Sequence, residues 1–528
     1  MIKKLGVTLI LGLVLVCFLA FRLQAQAPSA PSLPNINLPV VVSKVKIDVK
    51  EDCGAKGDGI TNDTDAFYKA SQLIQQKGGG TLIIPEGTYI VGKQFQEAGQ
   101  PRYYITAPIF EVKSVNGLLI EGNNAILKMA DGLRYGSFDN KTGEPYHPPK
   151  MPFMKGEYPA TLGSMINIEA SRNVVIRNLE LDGNLSNLAL GGFWGDMGRQ
   201  LFAYGIRLIK NSDVWLDKVN AHHHALDGLL IGYPGLTEED SAAPHTLTDC
   251  QFEYNGRQGL SWVGGRGLKV YRSQFNHTGR ALNNNVPLAS APGAGLDIEA
   301  EDSVTRDGYF EECQFINNTG PGLVSDSGSG GYAKFKDCLF WGTTSWSTWS
   351  NKPGLQFEDC RIYGSAIRAF GSPDPALATR WKRCIFEDRP WSNGKVYRNP
   401  NNGLLLEVSG NLENVLLEDC DFIANTSKSV WAVANAKQRI TFRGCGFMHK
   451  NAALAEGGFH ANFKNANFIG SHFKEQFGEG AAKKWYLEVS NCSVAAEPPT
   501  TVDGPSIKWR SWSVGATGIL PQITAAIE

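Results

Sequence analysis

From Cys250 onward one short pattern recurs along the chain: a small residue, any residue, then an apolar one. It reads Cys250-Gln251-Phe252, Ser273-Gln274-Phe275, Cys313-Gln314-Phe315, Cys338-Leu339-Phe340 and Cys360-Arg361-Ile362. It continues as Cys384-Ile385-Phe386, Cys420-Asp421-Phe422, Cys445-Gly446-Phe447, Ser471-His472-Phe473 and Cys492-Ser493-Val494, with Leu179 and Val219 in the same column upstream. The steps are 23, 40, 25, 22, 24, 36, 25, 26 and 21 residues, so the basic period is 21 to 26 and the longer steps carry inserted loops. Strand-sized pieces at that period, parted by Gly and Asn, predict a solenoid. Its coils stack their inward side chains on one another, and none is stable alone.

A second column fixes the coil's phase. Gly followed by alternating apolar residues recurs at Gly205-Ile206, Gly228-Leu229, Gly259-Leu260, Gly295-Leu296, Gly322-Leu323 and Gly403-Leu404. With a strand period of two, the residues one and three after Gly face the core, and those two and four after it face solvent. This predicts an outward sheet carrying Arg207, Ser261, Asp297, Glu299, Asp326, Arg368 and Glu407, with Trp262 inside. The Cys column reads as an interior ladder of reduced thiols, because Cys is small and apolar. No CxxC pair or His partner has zinc spacing, so no metal site is assigned.

The amino terminus reads as an address. Lys3 and Lys4 precede the 17-residue apolar run Leu5 to Phe21, and Leu23-Gln24-Ala25 offers a cleavage site. Residues 1–25 are read as an export signal and 26–44 as a Pro/Ala/Ser-rich linker. An uncleaved membrane anchor is the alternative. An amphipathic helix is expected from about Asp65 to Gln76. The boundaries that follow are a cap segment over 45–93, the solenoid over 94–500 and a carboxy-terminal cap over 501–528.

The run Asp52-Cys53-Gly54-Ala55-Lys56-Gly57-Asp58-Gly59, the helix, and Gly78-Gly79-Gly80-Thr81-Leu82-Ile83-Ile84-Pro85-Glu86-Gly87-Thr88-Tyr89 resemble the opening of the pectate-lyase-like superfamily. The likeness covers about 45 residues. It implies an all-β, right-handed parallel β-helix with the helix lying across its first coil, where it covers an edge that would otherwise pair with another chain. It also implies action on a polysaccharide, since the superfamily includes lyases, glycoside hydrolases, uronate epimerases and phage tailspikes. Fold alone does not choose among these. The Asn-Thr-Asp, Asp-Asp, Gly-His-Gly and Arg-Ile-Lys signatures of polygalacturonases are not found, beyond an echo in Leu226-Asp227-Gly228.

Composition narrows the partners. Lys+Arg number 51 against 52 Asp+Glu, a net charge of −1, which leaves no basic excess for a nucleic acid. At 42% hydrophobic and 20% charged, the chain is neither disordered nor a multispan membrane protein.

The chemistry is sought on the outward sheet. Asp297 and Glu299 lie two apart on one strand, about 6.6 Å at Cα, and Asp326 takes the place of Glu299 one coil on, about 4.8 Å away. Carboxylates that close repel, so at least one pKa rises and a protonated acid stands beside an ionised base. Glycoside hydrolysis uses such a pair, roughly 6.5 to 9.5 Å apart for inversion and about 5 Å for retention. The trio could equally hold Ca²⁺ and neutralise a uronate for β-elimination. Entering turns add His224 as a general base, Asp227, and Arg257 as a clamp or lyase base. Asn255, Arg207 and Arg368 are expected to bind substrate, and Trp194 or Tyr135 to stack on a sugar from insertions on the same coils.

These observations predict an exported, monomeric β-helix enzyme that cleaves a polysaccharide. A hydrolase is preferred to a lyase or uronate epimerase, because the outward cluster is acidic rather than rich in Lys and Arg. A non-catalytic glycan-binding or cell-surface scaffold is the alternative. An enzyme would line a groove walled by residues 185–202 with the three carboxylates; a scaffold would leave them on a flat, open face.

Overall fold

The computed structural model describes residues 44–509, apart from 96–103, 140, 148–158, 196–200, 345, 365–366, 388, 390–403, 425–428, 435–438, 450–458, 476–484, 491–492, 495–500 and 504–506. The export signal and nearly all of the linker lie outside these residues, as does most of the carboxy-terminal cap. No helix among the described residues is long and apolar enough to cross a membrane.

The described residues form a parallel β-helix. On one face Lys269, Tyr309, Lys334, Gln356, Arg380, Leu416, Thr441 and Asn467 pair in parallel, each with its counterpart one coil on. On a second face Gln314, Leu339, Arg361, Ile385, Asp421, Gly446, His472 and Thr501 do the same. The third face is a nine-stranded sheet running from Phe110–Lys113 through Gly163–Glu169, Ala203–Ile209, Asp227–Gly232, Gln258–Trp262, Ala294–Ile298, Leu323–Ser325 and Thr348–Ser350 to Ile367–Arg368.

Between the first two faces the chain turns a corner at each member of the Cys column. The residue before it takes a left-handed φ: Asp249 at 54°, Arg272 at 47°, Glu312 at 55°, Asp337 at 51°, Asp359 at 56°, Arg383 at 53° and Asp419 at 53°. Short polar side chains tolerate that conformation best, which explains the Asp preference just before Cys. Cys250, Cys313, Cys338, Cys360, Cys384, Cys420 and Cys445 are free and buried. Each thiol fills a small site and donates to carbonyls: Cys338 Sγ lies 3.3 Å from Lys336 O and 3.5 Å from Phe310 O, one coil earlier. Burial pushes the Cys250 thiol up to about 12.

The residue two after Cys stacks down the core. Phe252, Phe275, Phe315 and Phe340 follow at centroid distances of 5.5, 5.3 and 4.6 Å. Phe310, Phe335, Phe357 and Trp381 form a second stack at 4.8, 5.1 and 5.5 Å. Such in-register stacking is how each coil buries its apolar surface against the next.

The Gly column has a steric cause. A Cβ on Gly228 would sit 2.5 Å from Asn255 Nδ2 and 3.0 Å from Gly259 O; on Gly259, 2.7 Å from Gly295 O; on Gly295, 2.7 Å from Asn318 Nδ2 and 2.9 Å from Gly322 O. Backbone and an interior Asn ladder approach so closely there that only Gly fits.

Helix α1 (Thr64–Lys77) spans slightly more than its expected range and ends at Gly78, left-handed at φ 70°. It buries Ala66, Phe67, Ala70 and Ile74 and closes the free edge of the nine-stranded sheet. Ser71 Oγ accepts from Glu111 N at 3.0 Å, while Gln75 accepts from Lys113 N at 2.7 Å and donates to Lys113 O at 2.9 Å. Two side chains one helical turn apart thus satisfy groups that a further strand would otherwise pair.

Candidate functional site

The residue two after each Gly takes the outward side of the nine-stranded sheet, and the side chain of the residue before Gly259, Gln258, reaches that side from the strand's entry to meet Asp297. One row runs Arg207, Leu230, Ser261, Asp297, Val324, Trp349, Arg368 in strict register. The residue before Gly supplies a second row, in which Asp227 pairs with Gln258. Trp262 is fully buried in the core, as the alternation requires.

The outward row is not open to solvent as expected. Ser261 is 2% and Asp297 4% exposed, and Leu230 and Val324 are also buried. Insertions pack over the entering ends of these strands. Tyr135, fully buried, donates from its hydroxyl to Leu201 O at 3.0 Å, and Ser137 N donates to Phe193 O at 2.7 Å. Asn283 Nδ2 donates to Leu185 O and Leu188 O, both at 2.9 Å, and Leu185, Ala281 and Leu288 form a small core with Trp194 against it. Ser290 N bonds Gly256 O at 3.0 Å, anchoring the 279–292 loop beside Arg257.

Beneath these loops lie buried charges. Arg257 grips Asp227 with two parallel bonds, Nε to Oδ1 at 2.8 Å and a terminal nitrogen to Oδ2 at 2.5 Å, with side-chain exposures of 4% and 0%. Gln258 Nε2 donates to Asp297 Oδ2, while the buried Gln258 Oε1 has no hydrogen-bond partner among the described residues. Burial above all, then the charge of Glu299, raises the Asp297 carboxyl well above its ordinary range; Arg257 opposes, and Asp227 and Asp326 add to the rise. Glu299 is half-buried and Asp326 exposed, so the carboxylates climb from a covered acid to an open rim.

Five of the six expected catalytic residues, Asp227, Arg257, Asp297, Glu299 and Asp326, therefore act on one another. His224 does not join them. It is 2% exposed, its Nε2 meets Leu181 O at 3.1 Å, and burial lowers its pKa to about 3, so it stays neutral in the turn's interior. Asn255 is likewise fully buried: its Oδ1 accepts from His224 N at 3.0 Å and its Nδ2 donates to Ala221 O at 3.1 Å. It braces the turn and offers nothing to a ligand. Tyr135 is sealed in the loops, and Trp194 is partly buried against them. Among the described residues the trio's carboxylates do not all gather within 4.8 Å of one another.

Arg207 and Arg368 stay half-exposed at the two ends of the row. Arg207 lies 5.9 Å over Phe202 and bonds Asn167 Oδ1 at 3.1 Å, and Arg368 lies 4.6 Å over Trp349. Each stands three strands from Asp297, about 14 Å away. Glu407 lies where side chains are not described. Sequence reasoning missed Gln258, which occupies the position before Gly as Asp227 does; that recurring place was the available signal.

A family model described as "Right handed beta helix region" matches residues 164–362. Alginate lyase 7 of Azotobacter vinelandii is 35% identical over 82 residues, 16% of this chain and 9% of that protein. Glucan 1,3-beta-glucosidase of Cochliobolus carbonum is 31% identical over 105 residues, 18% of this chain and 12% of that protein. The chain thus spans about a tenth of the length of these curated relatives. Among solved structures, the A-module of mannuronan C-5 epimerase AlgE4 of Azotobacter vinelandii aligns over 88% of this chain and 100% of its own, with 13% identity and a TM-score of 0.38.

Proposed function

We propose that the protein is an exported enzyme that cleaves a polysaccharide, as a glycoside hydrolase, with the polymer reaching Asp297 from the rim where Glu299 is half-buried and Asp326 exposed. The observation that carries the reading is the pairing of Asp297, a buried carboxyl that burial and the charge of Glu299 raise well above its ordinary range, with half-buried Glu299 two residues further along the chain. A proton donor beside a second carboxylate is what glycosidic cleavage requires. Asp297 protonates the leaving oxygen, and Glu299 activates water or attacks the sugar. Gln258 holds the Asp297 carboxyl in place, and the Asp227–Arg257 pair supports the floor. The curated relatives named as an alginate lyase and a glucan glucosidase agree with a polysaccharide substrate.

A lyase built on Arg257 and His224 has less support, since Arg257 is bound bidentately to Asp227 and His224 is buried. The half-exposed Arg207 and Arg368 favour a polymer with acidic groups near its ends of contact. Incubation of the purified protein with plant, algal and bacterial polysaccharides, followed by mass spectrometry, tests the reading. Products carrying one added water, lost in Asp297→Asn and Glu299→Gln, are expected. Unsaturated products would replace the hydrolase by a lyase, and intact polymers that still bind would favour the glycan-binding scaffold.

A further inference from the structure

One polar cluster takes no part in this site. Strands Arg172–Asp182 and Ser212–His222 lie in register, so Asp182 stands directly beside His222 one coil on. His223 follows at left-handed φ 56°, which swings its ring back toward His222. The two Nδ1 atoms face each other at 2.7 Å, and Asp182 Oδ1 is 3.8 Å from His222 Nδ1. One ligand atom from each of the three residues lies within 4.8 Å of the others.

The protonation pattern follows from the neighbours. Glu180 Oε1 is 3.2 Å from His222 Nε2, and an ionised carboxylate only accepts, so Nε2 carries the hydrogen and Nδ1 presents a lone pair. A carboxylate behind the far nitrogen of an imidazole is the support that metal-binding histidines commonly have. The His223 ring is held by stacking on Tyr254 at 5.2 Å, which stacks in turn on His277 at 4.7 Å. Around the two rings stand Glu180, Asp182 and Glu253 against one cation, Lys128, whose Nζ reaches the other Asp182 oxygen at 3.8 Å. The local charge is acidic, and Asp182 Oδ1 accepts from Asn184 N at 2.8 Å, which orients the carboxylate and leaves that oxygen a second lone pair.

We propose that Asp182, His222 and His223 bind a divalent transition-metal ion of the zinc class, through the two Nδ1 atoms and one carboxylate oxygen. Two imidazoles and a carboxylate suit zinc and its neighbours; calcium and magnesium prefer all-oxygen shells. On binding, His223 gives up its Nδ1 proton and takes one at Nε2, with no change in its charge. The Nδ1 atoms part from 2.7 Å to about 3.3 Å, as metal–nitrogen bonds of about 2.0–2.1 Å at tetrahedral angles require. The ion ties two consecutive coils together, and its remaining positions go to water.

Titration of the full chain, carrying no histidine tag, with Zn²⁺ and with Co²⁺ tests the site. One equivalent is expected to bind, with Co²⁺ giving the visible bands of a four-coordinate ion. His222→Gln and His223→Gln are each expected to weaken Zn²⁺ at least tenfold, whereas His147→Gln, at an exposed imidazole elsewhere, leaves it unchanged. Equal affinity in all three variants overturns the proposal. Thermal unfolding of the unaltered chain gives an independent reading. Zn²⁺ raises Tm and Ca²⁺ does not; no rise with Zn²⁺, or an equal rise with both, overturns it.

Discussion

The coils from Cys313 to Ser471 and those from Gly163 to Ala300 are built on one plan and spend it differently. The later coils bury Cys and Phe, turn their corners on single Asp, Glu, Arg or Gly residues, and keep charge outside except at Glu387, as in the Lys382–Glu418 pair at 3.1 Å and the bidentate Arg383–Asp359 pair at 2.7 Å. The earlier coils carry insertions and bury Asp227, Arg257, Gln258 and Asp297. Desolvating such groups is costly even when they are paired. Among their described residues the later coils bury a single charged group, Glu387, and its partner Arg389 stays exposed, so the fold does not require a buried cluster. Under the proposed function, the difference assigns the chemistry to the earlier coils and leaves the later ones as scaffold.

Two cuts of similar size sharpen that division. Phe335→Ala removes a fully buried ring lying between Phe310 and Phe357, and is expected to cost about 3–5 kcal/mol in urea unfolding. Product release per folded molecule should not change. Asp227→Ala strips the bidentate partner from buried Arg257, costs about 3–5 kcal/mol, and abolishes product. Loss of turnover in folded Phe335→Ala would erase the comparison.

Acid should strike the earlier coils first. Burial lowers His224 to about 3 and His245 to about 4, against an unfolded value near 6.5. A depressed base contributes stability above its unfolded pKa and loses it as pH falls, because the unfolded chain takes the proton first. Each imidazole should remove up to about 1.4 kcal/mol per pH unit below about 6.5. Urea midpoints between pH 7 and 4.5 check this, and His224→Gln is expected to flatten the slope, His223, His245 and His277 supplying the rest.

Much of this architecture was legible in the chain. The Cys and Gly columns gave the coil period, and the register of Leu296 with Leu323 follows from the Gly spacing alone. Asp297, Glu299 and Asp326 were recognisable because strand alternation is local. Burial was not, because Asn283 meets Leu185 only after the loops have folded over the sheet. His224 and Asn255 misled for a related reason: a turn residue can face into the coil, and its own neighbours do not reveal which way it points. The Asp182–His222 contact was hidden by 40 residues of intervening chain, a separation the coil closes in one step.

Asp297 also carries a pH signature opposite to the imidazoles. A carboxyl whose folded pKa is raised contributes stability below its unfolded value and loses it as pH climbs toward the folded one. Asp297→Asn, which cannot ionise, should therefore gain Tm over the parent as pH rises from 5 to 9, while product disappears at every pH. A variant losing Tm at alkaline pH would mean that the carboxylate, not the acid, is the stable form.

The smallest effect is expected in the ladder itself. Cys360 Sγ donates to Phe335 O and Glu358 O, both at 3.4 Å, and a serine hydroxyl at that place could donate to the same carbonyls. The column already contains serine: Ser273 Oγ donates to Tyr271 O at 2.9 Å and accepts from Cys250 N at 3.1 Å, and Ser471 Oγ donates to Phe442 O at 3.1 Å. Cys360→Ser should thus cost only about 1 kcal/mol and leave the products unchanged. A loss near the Phe335→Ala value would show that the later coils depend on sulfur for more than its volume, and the line between scaffold and working coils would have to be redrawn.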